Sequence, residues 1–230
     1  MYIDAYFGES FYKQLPLGFH RDFAFGQLFK THAYYPHENL ELWRPVSDPN
    51  EPTKTVATHF QKQAAGQDAF QRKIPLATPK LETNEEFVVV RAKRRPVVLV
   101  MPEAPPFGVD NKGYRGRVQR HLCLVAQVFG LADVMTGAAE FSPSFTHRVR
   151  KMEFPELMFL PACPGFLDID SLLRLDELQS AFTPNLEPTK LALGDEVAEV
   201  LRGQLQYLFA KSGPTPYTDL RELLLNDQDD

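Results

Sequence analysis

The run Arg95-Pro-Val-Val-Leu-Val-Met101 is the stretch of this chain that decides its fold class. Aliphatic residues fill both alternating faces of this run, which is typical of a strand buried at the centre of a sheet. Proline is tolerated at the first position of such a strand. A second β-branched run, Glu86-Phe-Val-Val-Val-Arg91, ends a few residues earlier. The short connection between the two runs predicts a β-hairpin.

Further strands and helices are predicted on both sides of this pair from hydrophobic periodicity. The predicted strands are Gly26–Tyr34, Leu40–Pro45, His121–Val128, Leu157–Ala162 and Ser171–Leu178. The predicted helices are Thr58–Gln67, Gly194–Phe209 and Tyr217–Asn226. The sequence therefore predicts a mainly β domain with flanking helices, of the α+β class.

The domain organisation follows from changes in composition along the 230 residues. A single domain is predicted over 1–212, and the proline-rich, polar stretch 47–83 is predicted to be an insertion within it. Residues 213–230 read as a linker, a short helix and an acidic tail. No apolar run reaches the roughly 18 to 20 residues that cross a bilayer. We therefore expect no membrane association, and a cytoplasmic location, since no secretory signal opens the sequence.

Cysteine and histidine spacing gives no sign of a metal centre. Cys123 and Cys163 are too few and too far apart for a CxxC site or a disulfide framework. The six histidines show no helical HxxxH spacing. No metal and no cofactor is therefore predicted.

The charge distribution is uneven. Residues 91–151 carry eleven Arg and Lys against four Asp and Glu, in a chain whose formal net charge is −5. A basic middle in an acidic protein favours an anionic partner such as nucleic acid or an acidic peptide. The alternative is that these cations pair with acids of the flanking segments.

Four elements, in order, resemble those of the MazF/PemK toxin family. Gly26-Gln-Leu-Phe29 resembles the family's opening strand, and Lys93-Arg-Arg-Pro-Val-Val-Leu-Val100 its Arg-Pro strand. Leu173-Arg-Leu-Asp-Glu-Leu178 resembles its late strand, and Leu191-Ala-Leu-Gly194 the segment before its last helix. The resemblance implies an SH3-like or PemK-like β barrel with a C-terminal helix and, in this chain, a long insertion.

The resemblance also implies a function. Members of that family are mostly endoribonucleases that cut single-stranded RNA without a metal, form homodimers and are neutralised by an acidic antitoxin peptide. Arg95 matches the family's catalytic arginine. An arginine suits this role because it is always charged and its guanidinium can bind two phosphate oxygens in a bidentate way. The expected RNA-binding or partner-binding residues around it are Arg94, Lys112, Arg115, Arg117, Arg120 and His121.

This sequence departs from the family at the end of the third strand. The family offers Thr or Ser there, whereas this chain reads Ala126-Gln-Val-Phe-Gly130, and its nearest hydroxyls are Thr136 and Ser142. An inactive relative that holds a protein partner, such as a sigma factor or an antitoxin peptide, is therefore the alternative function. A purely structural role is the third.

Two residue-level hypotheses complete the sequence-based account. Instead of binding a phosphate, Arg95 could have a structural role, in which its guanidinium pairs with Asp176 or Glu177 of the late strand. The second hypothesis gives the segment after Pro216 a regulatory role. An acidic helix on a flexible linker is hypothesised to dock on the basic middle and mask it.

Overall fold

The computed structural model describes residues 1–35, 41–48, 50–51, 55–61, 87–103 and 121–227. The chain divides into two compact units. One comprises residues 1–33 together with 94–230, and the other comprises residues 34–93.

The first unit is built on a seven-stranded antiparallel sheet. Its strand order is β1–β10–β2–β6–β7–β9–β8. The strands are β1 (Tyr12–Gln14), β2 (Gln27–Tyr34), β6 (Ala92–Met101), β7 (Leu122–Gly130), β8 (Leu157–Leu160), β9 (Ser171–Phe182) and β10 (Glu187–Leu193). β1 and β8 are the two edges, so the sheet is not closed among the described residues.

Four α-helices accompany the strands in the described part of the chain. They are α1 (Ile3–Phe7), α2 (Pro143–Arg150), α3 (Asp195–Ala210) and α4 (Thr215–Asn226). Two 3-10 turns, Gly8–Phe11 and Thr183–Asn185, lie between elements. The mainly β, α+β class is thus confirmed. None of the described helices has the length and apolar character that crossing a bilayer requires.

β6 lies in the middle of the sheet and is buried on both faces, as its sequence predicted. Val97, Val98 and Leu99 are each completely buried. Val98 belongs to the large core that the helices cover, whereas Val97 and Leu99 belong to a smaller cluster. Because successive side chains of a strand point to opposite faces, this burial explains why the run is aliphatic at every position.

The predicted hairpin between Glu86–Arg91 and Arg95–Met101 is wrong. β6 pairs with β7, placing Val97 opposite Gln127. β5 (Phe87–Val89) pairs instead with β3 (Glu41–Ser47), in the second unit's sheet of order β4–β3–β5. The buried segment 97–100 of this ten-residue strand needs a long apolar partner, which the nine residues of β7 provide and three-residue β5 does not.

The helix predicted over Thr58–Gln67 is wrong where the structure describes it. Residues up to Gln61 belong to β4 (Thr55–Gln61), which pairs with β3 along its whole length. The β-branched residues Thr55, Val56 and Thr58 favour an extended backbone, and they outweigh the weak helical periodicity. The rest of that prediction, and most of the 47–83 stretch, lies outside the described residues.

α4 is part of the core of the first unit. Tyr217 and Leu224 are almost completely buried in the cluster that covers the sheet. Arg221 of the same helix donates from Nε to the Met152 carbonyl and from Nη2 to the Glu153 carbonyl, both at 2.9 Å. Packing therefore holds α4 in place, and Lys151 of the basic middle donates from Nζ to the Asp227 carbonyl at 2.6 Å, just after the helix. The masking hypothesis stays a prediction, because Lys112, Arg115, Arg117 and Arg120 lie outside the described residues. Residues 228–230 lie outside the described residues.

Burial of Tyr217 makes the stability of the folded protein depend on pH in the alkaline range. Its hydroxyl is buried with no hydrogen-bond partner in the part of the chain that the structure describes. Burial raises the pKa of Tyr217 from 10.0 to about 12. The unfolded chain therefore loses this proton first, and stability falls as pH rises from about 10 to about 12.

We expect Tyr217→Phe to abolish that part of the alkaline loss and to leave stability at pH 7 unchanged or slightly higher, because an unpaired buried hydroxyl is removed. Urea unfolding of both proteins at pH 7 and pH 11 measures the difference. A variant that loses several kcal/mol at pH 7 contradicts the expectation, since the hydroxyl would then be making a strong bond.

Candidate functional site

The two adjacent arginines of the predicted site point to opposite faces of the sheet, as strand alternation requires. Arg94 is exposed and reaches β10, where its Nε donates to Glu187 Oε1 at 3.2 Å and its Nη2 to Oε2. Arg95 is half-buried, with its guanidinium carbon 4.3 Å from the centroid of the Phe129 ring. A single pocket therefore does not receive both guanidinium groups.

An aromatic ring and a second arginine with its own carboxylate partners lie near Arg95. The guanidinium carbon of Arg174 lies 5.7 Å from the centroid of the same Phe129 ring. Arg174 binds Asp176 with two bonds of 2.7 and 2.6 Å, and it contacts Glu177 at 2.9 Å. Both carboxylates that the sequence suggested as partners of Arg95 are thus bonded by Arg174.

A concave pocket of about 440 Å³ lies on the Arg94 side. Three neighbouring strands each place one cation in its wall: Lys190 from β10, Lys30 from β2 and Arg94 from β6. Adjacent strands lie about 4.8 Å apart, so the three strands span about 10 Å. The remaining lining residues are Gln14, Cys163, Pro164, Gly165, Phe166, Glu187, Pro188, Thr189 and Leu191. We call this feature the cationic pocket.

A tight turn after β8 forms one wall of the cationic pocket. In Cys163-Pro-Gly-Phe166 the Phe166 N–H donates to the Cys163 carbonyl at 3.1 Å, and Gly165 has φ of 88°. Proline followed by a glycine of positive φ defines a type II turn, whose backbone is rigid. The turn holds the Phe166 ring against Lys30, whose Nζ lies 5.4 Å from the ring centroid. The aromatic ring therefore helps to fix the Lys30 ammonium group at the pocket.

Among the described residues that line the cationic pocket, Glu187 is the one carboxylate. It lies directly opposite Lys30 in the β10–β2 ladder, while Arg94 reaches it from the next strand. Hydrogen bonds from Arg94 hold the pKa of Glu187 below its usual range, and the charge of Lys30 acts in the same direction. Glu187 is therefore ionised at neutral pH. Three cations face one carboxylate, which leaves an excess of two positive charges.

His121 lies at the opposite end of the β6–β7 pair from Arg95. Its Nδ1 is 2.7 Å from Oε1 of Glu103, whose Oε2 accepts a 3.2 Å bond from the Thr183 hydroxyl. At about 3.3 Å per residue, the register of β6 and β7 separates Arg95 and His121 by about 25 Å. The structure does not bring these two residues together. Lys112, Arg115, Arg117 and Arg120 lie outside the described residues.

The hydroxyls nearest in sequence to the family's expected Thr or Ser serve local structure. Ser142 caps α2, where its hydroxyl accepts from the Phe145 N–H at 3.2 Å. The Thr136 hydroxyl donates to Asp133 Oδ1 at 2.9 Å within a turn. Neither bond involves Arg94, Arg95 or His121.

Sequence reasoning found Arg94 but missed its partners in the pocket. Lys30 and Lys190 are separated by most of the chain and become neighbours only through the strand order β10–β2–β6. The Pro164-Gly165 dipeptide is a sequence signal for the turn, although it gives no indication of what the turn faces.

The fold and the pocket define an α+β protein with a concave, positively charged surface at one end of its main sheet. No protein-family model and no curated protein matches the sequence of this chain. The functional proposals therefore depend on the cationic pocket and on the sequence elements quoted above.

Proposed function

We propose that this chain is a divergent MazF/PemK-like protein that binds single-stranded RNA at the cationic pocket without cleaving it. The observation that carries the proposal is the set of three cations, Lys30, Arg94 and Lys190, around a single carboxylate. Lysine and arginine contacts to phosphates supply most of the affinity of proteins for nucleic acid. The half-buried Phe166 ring adds an aromatic surface of the kind on which unpaired bases stack.

The arrangement of the quoted sequence elements supports the family assignment. They lie on β2, β6, β9 and β10, and Gly194 is the N-cap of the long helix α3. The two edges of the sheet also approach each other, because the Tyr12 hydroxyl of β1 donates to the Pro161 carbonyl, just after β8, at 2.8 Å. This contact favours a strongly curved sheet, as a PemK-like barrel requires. A homodimer and a cytoplasmic location belong to the same proposal.

Binding is favoured over cleavage for geometric reasons. RNA cleavage by the 2′-hydroxyl requires a base, a cation and a proton donor around one phosphate. Arg95 lies against Phe129, and His121 lies about 25 Å away at the other end of the strands. Arg94 and Lys30 supply charge at the pocket, and no histidine lines it among the described residues.

A cleavage assay tests this choice. We expect single-stranded RNAs of mixed sequence to remain intact over hours with the wild-type protein in EDTA, while the same RNAs bind. Cleavage products that disappear with Arg95→Ala would instead make this protein a metal-independent endoribonuclease with Arg95 in its machinery. Arg174→Ala, which alters the other cation at the Phe129 ring, is the matched control for loss of local packing.

The second candidate is a binder of an acidic peptide, such as an antitoxin segment or a region of a sigma factor. The observation that favours it is the Arg94–Glu187 contact, in which both oxygens of a carboxylate are already bound by the fork of Arg94. Tight binding of an acidic peptide with no RNA binding supports this candidate against the first.

A further inference from the structure

The cationic pocket is suited to one particular kind of phosphate. We infer that it binds the terminal phosphate of an RNA strand, a phosphomonoester, in preference to an internal phosphodiester, and that Glu187 is the internal carboxylate which this phosphate displaces from Arg94. The inference rests on the proposed function, because it specifies which part of the RNA the pocket receives.

The charge balance of the pocket favours a dianion. Lys30, Arg94 and Lys190 line the pocket together with Glu187, so two positive charges are left over among these four residues when Glu187 is ionised. A phosphomonoester carries a charge of about −1.5 to −2 at pH 7, whereas an internal phosphodiester carries a single charge. The monoester therefore neutralises the excess, and the diester neutralises half of it.

The pocket is bounded by a turn on one side and is partly open to solvent. The Cys163–Phe166 turn walls one side, and β1, β2 and β10 supply Gln14, Lys30 and Lys190 around the rest. Its volume of about 440 Å³ falls in the range of about 300 to 1,000 Å³ that is usual for small-molecule sites. A terminal phosphate needs a path for the strand on one side only, while an internal phosphate needs two.

Glu187 marks the position of the anionic group. Its two oxygens bind Nε and Nη2 of Arg94, the same fork that binds two phosphate oxygens. The Glu187 backbone lies opposite Lys30 in the ladder, and its carboxylate is bonded to Arg94 of β6, on the far side of Lys30's strand. An incoming phosphate that takes over the bonds of Arg94 must compete with this carboxylate.

The experiment compares one RNA of eight nucleotides with three kinds of ends. Isothermal titration calorimetry is performed with the 5′-phosphorylated RNA, the 3′-phosphorylated RNA and the RNA with two hydroxyl ends. We expect one phosphorylated form to bind at least tenfold more tightly than the hydroxyl form. Lys190→Gln should remove most of that difference. Glu187→Gln should strengthen binding of all three RNAs several-fold, because the internal competitor loses its charge. Lys211→Gln, at an exposed lysine outside the pocket lining, should change nothing.

The outcomes separate this inference from the proposed function. Equal affinities for the three RNAs overturn the terminal-phosphate assignment and leave RNA binding intact. No binding of any RNA overturns the proposed function itself. If inorganic phosphate binds the pocket as tightly as the phosphorylated RNA does, the ligand is free phosphate and not the end of a strand. If a phosphoserine peptide binds and no RNA does, the RNA end is overturned as ligand in favour of a protein partner.

Discussion

We expect the triple variant Lys30→Gln, Arg94→Gln, Lys190→Gln to bind single-stranded RNA about 100-fold more weakly than the wild type in 0.1 M salt. Each phosphate contact to a single strand contributes about 0.7 to the salt exponent, which corresponds to about fivefold in affinity between 1 M and 0.1 M salt. Loss of the three positive charges, counted in the same way for each phosphate charge neutralised, therefore accounts for about two orders of magnitude. Glutamine is shorter than lysine and arginine but remains polar and able to donate hydrogen bonds, so the main change is the loss of charge. Fluorescence anisotropy with a labelled RNA measures it.

The control variant removes charges that lie elsewhere on the first unit. Arg202 and Lys211 lie on or directly after α3, and neither lines the cationic pocket. The double change of these two residues to Gln should weaken RNA binding by less than about threefold. A loss as large as that of the triple variant would show that affinity follows overall charge rather than the pocket.

The second large effect concerns the junction that carries α3. Gly194 is the N-cap of α3, and its N–H donates to the Phe11 carbonyl at 2.9 Å. A Cβ at this position would lie 1.9 Å from the backbone oxygen of Ser10. Because that oxygen belongs to a 3-10 turn rather than to a flexible side chain, the turn or the helix must shift. We expect Gly194→Ala to destabilise the protein by about 3 kcal/mol, at the upper end for overpacking.

A second glycine separates this steric effect from backbone strain. Gly137 has φ of 68°, and a Cβ there would meet no atom within 4 Å. Gly137→Ala should therefore cost about 1 kcal/mol, from the left-handed backbone alone. Urea unfolding of both variants gives the two values. Equal losses would contradict the close approach of Gly194 to Ser10.

The central strands and long helices were predictable because their signals are local. β6 and β7 are continuous aliphatic runs, and α3 repeats apolar residues at helical spacing. α1, β1, β10 and α2 were missed. α1 and β1 have five and three residues, and β10 begins Glu187-Pro188 and buries only Ala192 and Leu193. Such short or half-polar elements are fixed by the core that they cover rather than by their own periodicity.

The wrong hairpin has a different cause. Closeness in sequence favours pairing of neighbouring runs, but a central strand needs a strand partner along each edge, and β6 pairs with β2 and with β7, which follows residues 104–120. Long-range strand pairing is also the reason why the cationic pocket could not be predicted from the sequence. The sequence located Arg94 through its local charge, whereas Lys30 and Lys190 join it only because β10, β2 and β6 are neighbours.

The salt dependence of RNA binding tests the central claim most directly. Affinities of the wild type and the triple variant are measured from 0.05 to 0.5 M salt with the same single-stranded RNA. The triple variant removes three positive charges, and at about 0.7 for each phosphate charge neutralised its logarithmic slope should be shallower by about 2. Parallel slopes for the two proteins would mean that the cationic pocket does not contact phosphate, and the proposed function would be wrong.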